Sequence, residues 1–138
     1  MNRLRWLIVL LVIGISAGCN SDIVTTNHLK VIPHKCVHIS PFESENPQIG
    51  KVIRDVIEKE FIRRKIALCD PDKATIFVTG ATFITVRGTT NQTIESVSLV
   101  AKNINGEVVL SASYDNKDQL SASKLAQEFG SAVADKLR

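Results

Sequence analysis

The chain has 138 residues, 44% of them apolar and 22% charged, with 17 Lys or Arg, 14 Asp or Glu and only three cysteines. That length holds one domain, and the balance of apolar and charged residues excludes a long disordered tail, a collagen-like fibre, a cysteine-stapled miniprotein and a polytopic membrane protein. The net charge of +3 falls to about +1 when Arg3 and Arg5 leave with residues 1–18, which argues against nucleic acid as a partner.

Arg3 and Arg5 precede an apolar run from Trp6 to Ile15 that ends in the small residues Ser16, Ala17 and Gly18. A positive start, an apolar core of roughly ten residues and a small-residue end have the layout of a signal peptide, whereas a spanning helix needs about twenty apolar residues. Ser16-Ala17-Gly18-Cys19 resembles the bacterial lipobox. The resemblance implies cleavage after residue 18 and a diacylglycerol on the Cys19 sulfur. Asn20, standing where Asp would retain a protein at the inner membrane, implies onward transport to the outer membrane, facing the periplasm. Each buried acyl CH₂ contributes about 0.8 kcal/mol, and stable anchoring takes more than one chain. Residues 19–34 therefore read as a lipidated cysteine and a tether. Its stretch NSDIVTTNHLKVIP has no clear period and would reach roughly 45 to 50 Å when extended.

Residues 35–138 read as one periplasmic domain. Val37 and Ile39 alternate between Lys35 and Pro41, the pattern of a short strand. Asn46 as cap and Pro47 as first helical residue open a helix whose stripe is Ile49, Val52, Ile53, Val56, Ile57 and Phe61. Arg63, Arg64 and Lys65 read as its solvated, dipole-complementing end. A short strand over Ile66 to Cys69 stops at Asp70-Pro71-Asp72. Thr75 to Arg87 reads as a central strand with Ile76, Val78, Ile84 and Val86 on one face and Phe77, Ala81 and Phe83 on the other. Gly80 within it marks a bulge or a close backbone approach, and Gly88 to Thr93 reads as a polar loop.

Asn105-Gly106 reads as a two-residue hairpin turn with both positions at positive φ. Pairing outward from Ile104 and Glu107 puts Val97, Leu99, Ala101, Val108, Leu110, Ala112 and Tyr114 on one face, opposite a wet face of Ser96, Ser98, Lys102, Ser111, Ser113 and Asp115. A last helix starts near Ser121, with Leu120 and Leu125 as a hydrophobic staple and a stripe of Ala122, Leu125, Ala126, Phe129, Val133 and Leu137. The order β-α-β-β-β-β-α predicts an α+β fold: a mixed, mostly antiparallel sheet of about five strands with two amphipathic helices on one face.

Val37-His38-Ile39-Ser40-Pro41-Phe42, Asp72-Lys73-Ala74-Thr75-Ile76-Phe77-Val78-Thr79-Gly80 and Asn105-Gly106-Glu107-Val108-Val109 resemble motifs of a group of periplasmic lipoprotein domains. That group includes the curli-secretion channel protein, the lipoprotein activator of a penicillin-binding protein and the lipoprotein of Pel polysaccharide export. The resemblance implies a small domain that binds export or wall-synthesis machinery, or its own copies. The channel protein's membrane-spanning hairpins have no counterpart in the sequence.

His34, Cys36 and His38 alternate and would share one strand face, a possible zinc or copper set to which Cys69 could add a fourth ligand. Two half-exposed histidines flanking an ordinary cysteine, or a Cys36–Cys69 disulfide closing a loop of about thirty residues, are the other readings. The sequence has no nucleophile elbow, phosphate loop or metalloprotease motif. It therefore reads as non-enzymatic, with no cofactor beyond the acyl lipid on Cys19. The expected partners are the membrane, an envelope protein and possible further copies of the chain.

Overall fold

Alternating apolar residues build a six-stranded sheet in the order β1-β6-β5-β4-β2-β3 in the computed structural model, which describes residues 21–87 and 91–138. The strands are β1 (Ser21–Thr25), β2 (Cys36–Ile39), β3 (Ala67–Leu68), β4 (Ile76–Arg87), β5 (Asn91–Asn103) and β6 (Val108–Asp115). The helices are α1 (Pro47–Arg63), between β2 and β3, and α2 (Ala122–Leu137), after β6. β2 runs parallel to both β3 and β4, and the remaining pairings are antiparallel. The fold is α+β, with one strand more than the sequence pattern predicted. The residues read as the signal peptide, and Cys19, lie outside the described residues.

The extra strand corrects the tether. Ser21–Thr25 pairs antiparallel with β6, from Ser21 opposite Tyr114 to Thr25 opposite Leu110. A 3₁₀ turn, Asn27–Val31, follows and buries Leu29 at 6% exposure. Thr26 closes the corner by donating its backbone N–H to the Val109 carbonyl at 3.0 Å. Five residues with half-buried Ile23 as their one inward apolar side chain carry almost no periodicity, so the pairing is invisible without β6.

Both helices start where their caps stand. Asn46 accepts from the Gln48 N–H at 3.1 Å and Ser121 from the Lys124 N–H at 3.3 Å, each satisfying a donor of the first turn. α1 buries Gly50, Ile53, Ile57, Glu60 and Phe61, while Val52 is 40% exposed. α2 buries Leu125, Ala126, Phe129, Val133 and Leu137, with Gly130 set against the Ile57 backbone. These stripes join one core with Val37, Ile39, Ile76, Val78, Val97, Leu99, Leu110 and Ala112 from a single sheet face. The basic triplet is not simply solvated: Arg63 pairs with buried Glu60 at 2.6 Å, and Arg64 bonds Asp135 and Ser131 of α2.

Val86 departs from the predicted face, being 60% exposed where β4 runs past the helices. The β4–β5 register shifts between Phe83 and Ile84, where Glu95 of β5 is the extra residue, and not at Gly80. Gly80 serves close packing instead, since a Cβ there would lie 2.4 Å from the ring of Phe42. Phe42 is 3% exposed and its carbonyl abuts Gly50, so the ring has little room to retreat. Gly80→Ala is expected to cost about 1–3 kcal/mol, the usual penalty for overpacking a filled site. A urea melt showing no loss would mean that Phe42 swings clear.

The β5–β6 turn also differs from its reading. Only Gly106 has positive φ, at 80°, and the loop is wider than two residues because the Asn103 side chain accepts from both the Asn105 and Glu107 N–H groups, each at 3.0 Å. Gly106 then donates to the Asn103 carbonyl at 3.0 Å. This is a type I turn followed by a left-handed glycine. A register shift between Ala101 and Lys102 sends Val109 inward at 0% exposure and leaves Val108 outside at 40%. Beyond the shift the predicted pairs hold, with Ala101 opposite Leu110, Leu99 opposite Ala112 and Val97 opposite Tyr114.

Candidate functional site

The sheet face turned away from the helices is open. Across it Asp22, Ser113, Ser98 and Ala81 stand in one row, and Val24, Ser111, Val100 and Thr79 in the next. Period-2 alternation puts the short polar residues of each strand here because their neighbours fill the core. Side chains this short make a flat, wet surface, with a shallow depression of about 230 Å³ where Glu43, Thr79, Ala81, Ser98 and Val100 meet. Such a surface suits another protein's face better than a small molecule, which needs concave burial.

One end of the sheet is extended by the β4–β5 hairpin, whose pairing continues from Phe83 opposite Ser96 to Arg87 opposite Asn91. Asn91 to Thr93, read as loop, therefore belongs to β5, and residues 88–90 lie outside the described residues. The hairpin base is held on two sides. Buried Asn116 donates to the Ile94 and Leu120 carbonyls at 2.8 and 3.0 Å and accepts from the Leu120 N–H at 2.8 Å. On the other side the Asn46 amide donates to Gln92 at 2.8 Å. Phe83 and Val86, 59% and 60% exposed, are the apolar side chains it presents to solvent.

The opposite end carries the β5–β6 turn and the 3₁₀ segment. Val31 and Ile104, 77% and 71% exposed, line a cavity of about 380 Å³ together with Ile32, Pro33 and Thr75. His28 and Glu107 approach to 3.8 Å at its rim.

Cys36 and Cys69 lie at the β2–β3 corner and are joined as a disulfide, with Cα atoms 5.7 Å apart. The reach across the parallel pair is met because Cys69 follows β3 and donates its backbone N–H to the Val37 carbonyl at 2.9 Å. His38 sits beside the bridge with Nδ1 3.2 Å from the Cys69 carbonyl oxygen. His34 is exposed in the turn before β2, where its carbonyl accepts from the Thr75 hydroxyl at 2.7 Å. The alternative metal set of His34, Cys36 and His38 is therefore corrected: the Cys36 sulfur is committed to Cys69. No group of three His, Cys, Asp or Glu side chains among the described residues is placed to hold an ion.

Neither a family model nor a curated protein matches the sequence. Solved structures do match the fold. The PelC dodecamer of Paraburkholderia phytofirmans superposes with a TM-score of 0.60 at 14% identity, over 86% of this chain and 98% of PelC. That structure is of a single-substitution variant of PelC; the PelC dodecamer in another crystal form gives 0.56, also at 14% identity, over 85% and 96%. The fold is shared with PelC. A PDZ domain protein from Parabacteroides distasonis gives 0.58 at 11% identity, over 83% of this chain but 34% of the larger protein. Among the described residues no helix is long and apolar enough to cross a membrane.

Proposed function

We propose that this chain is a non-enzymatic lipoprotein of the bacterial envelope, acylated on Cys19 and held at the outer membrane facing the periplasm. Its domain assembles with copies of itself and docks on export or wall-synthesis machinery. The observation that carries the reading is the fold shared with a protein whose crystals hold a dodecamer, over 98% of that protein's length. The flat, short-residue sheet face supports it, because two such faces or a face and a helix pair can meet without displacing long side chains. The lipobox-like Ser16-Ala17-Gly18-Cys19 supports the anchor.

Native mass spectrometry of the full chain, expressed in a Gram-negative host and extracted in mild detergent, tests both parts. The expected result is a species of several copies, each heavier than the polypeptide from residue 19 by its acyl groups. Cys19→Ala is expected to abolish the added mass and to release the protein from the membrane fraction. A monomer at every concentration would overturn self-assembly, and membrane association unchanged by Cys19→Ala would overturn the anchor.

A further inference from the structure

We propose that copies of this chain stack front to back, the open sheet face of one copy receiving the helix layer of the next. The proposal rests on the self-assembly advanced above and assigns it two surfaces.

Charge complementarity carries the argument. Asp22, Ser113, Ser98 and Ala81 form one row of the open face, and Glu43, bridged to Ala81, ends it. Asp115 stands in the next row, opposite Ser96. Among the described residues none of these three carboxylates has an ion-pair partner. Lys102 lies on the same face but two rows back from Ser98, opposite Val108.

The helix layer has the opposite sign. Each acid of the two helices already has a cation: Arg54 pairs with Asp55 and Glu58, Arg63 with Glu60, Arg64 with Asp135 and Lys124 with Glu128. Among the described residues Lys51, Lys59, Lys65 and Lys136 are left without an ion pair. Two open faces therefore repel, two helix layers repel, and an open face attracts a helix layer. Because the contact joins unlike patches, every added copy offers one free face of each kind, and growth stops only when a ring closes.

Shape agrees with charge. Seventeen residues make α1 about 25 Å long, enough to cross a row of five strand positions about 4.8 Å apart. Serine and alanine in that row let a helix come close. Val52, Lys59 and Ile62 lie on the side of α1 away from Ile53, Ile57 and Phe61. The stacked contact covers Val52 and Ile62 on one copy and Val24 and Phe83 on the other, all of them exposed in a lone copy.

The experiment reverses each surface separately. Glu43→Lys with Asp115→Lys inverts the sheet face, and Lys51→Glu with Lys59→Glu inverts α1. All four side chains are exposed, and matching thermal melts confirm that both variants fold. Native mass spectrometry of the full chain in mild detergent reads the assembly. Each variant alone is expected to need about tenfold more protein to assemble than the parent, and an equimolar mixture is expected to recover the parent's behaviour with the two variants in equal numbers. Variants that assemble as the parent does, or a mixture that stays apart, would overturn the stacking and leave self-assembly standing. A parent that is monomeric at every concentration would overturn self-assembly, and the stacking with it.

Discussion

Phe129→Ala is expected to lower the unfolding free energy by about 3–5 kcal/mol, the range for removing a large buried ring and leaving its cavity. Phe129 is 0% exposed at the centre of α2. Its ring meets Tyr114 of β6 edge-on, with centroids 6.3 Å apart and planes at 70°. The Tyr114 hydroxyl donates to Glu128 at 2.9 Å, so the tyrosine is tied to α2 and is not free to collapse into the space. Gly130, next in sequence, lies against the backbone of Ile57, so shifting α2 to fill the void disturbs α1 as well. Phe83→Ala removes the same atoms from a site 59% exposed and is expected to change stability by about 0.5 kcal/mol or less. Urea melts of both variants check the contrast. Equal losses would mean that α2 is not docked as described.

Opening the Cys36–Cys69 bridge is the second large effect. The bridge closes a sequence separation of 33 residues that contains all of α1 and β3. In the chain-entropy account a loop of that size contributes about 3 to 4 kcal/mol by restricting the unfolded chain. Cys36→Ser, Cys69→Ser and the double variant are expected to lose the same amount, because each breaks one shared bond. Dithiothreitol is expected to lower the melting temperature of the parent and to leave all three variants unchanged. Additive losses from the two single variants, with no effect of reductant, would show that the thiols act independently. β3 depends most on the bridge, since its two residues pair only with β2, at Cys36 and Val37.

Local chemistry made most of this fold legible. Pro47 after Asn46, the stripe from Leu125 to Leu137 and the alternation of Val97, Leu99 and Ala101 each mark an element through its own residues, and the structure keeps all three. The misreadings arise where a distant or side-chain partner decides. Asn105-Gly106 satisfies a two-residue turn, but the Asn103 amide oxygen takes two N–H groups and widens it, moving Val108 out and Val109 in. Val86 has the right alternation for the core but lies beyond the reach of the helices. Arg64 reads as a helix end and becomes a link to α2 because Ser131 and Asp135 arrive beside it. His34, Cys36 and His38 share a spacing, but the sulfur is drawn to Cys69 from another strand, which spacing cannot show. The candidate surfaces were legible only as a polar hairpin face; the projecting β4–β5 end needed the paired register.

The pairing of β1 with β6 also sets an order of events. Thr26 and Val109, bonded across the corner, stand 83 residues apart, so the first strand to leave the ribosome is the one whose partner is synthesised nearly last. Long-range closure of this kind is slow relative to forming a hairpin such as β5–β6. Until it happens β6 is an uncovered sheet edge, the template on which foreign strands add. If residue 19 is the processing site proposed above, β1 starts only two positions later, so its docking on β6 waits until the leader has left the translocation machinery. Maturation of the N-terminus and completion of the sheet are then one event, and a chain whose leader is retained would carry its open edge for as long as it waits.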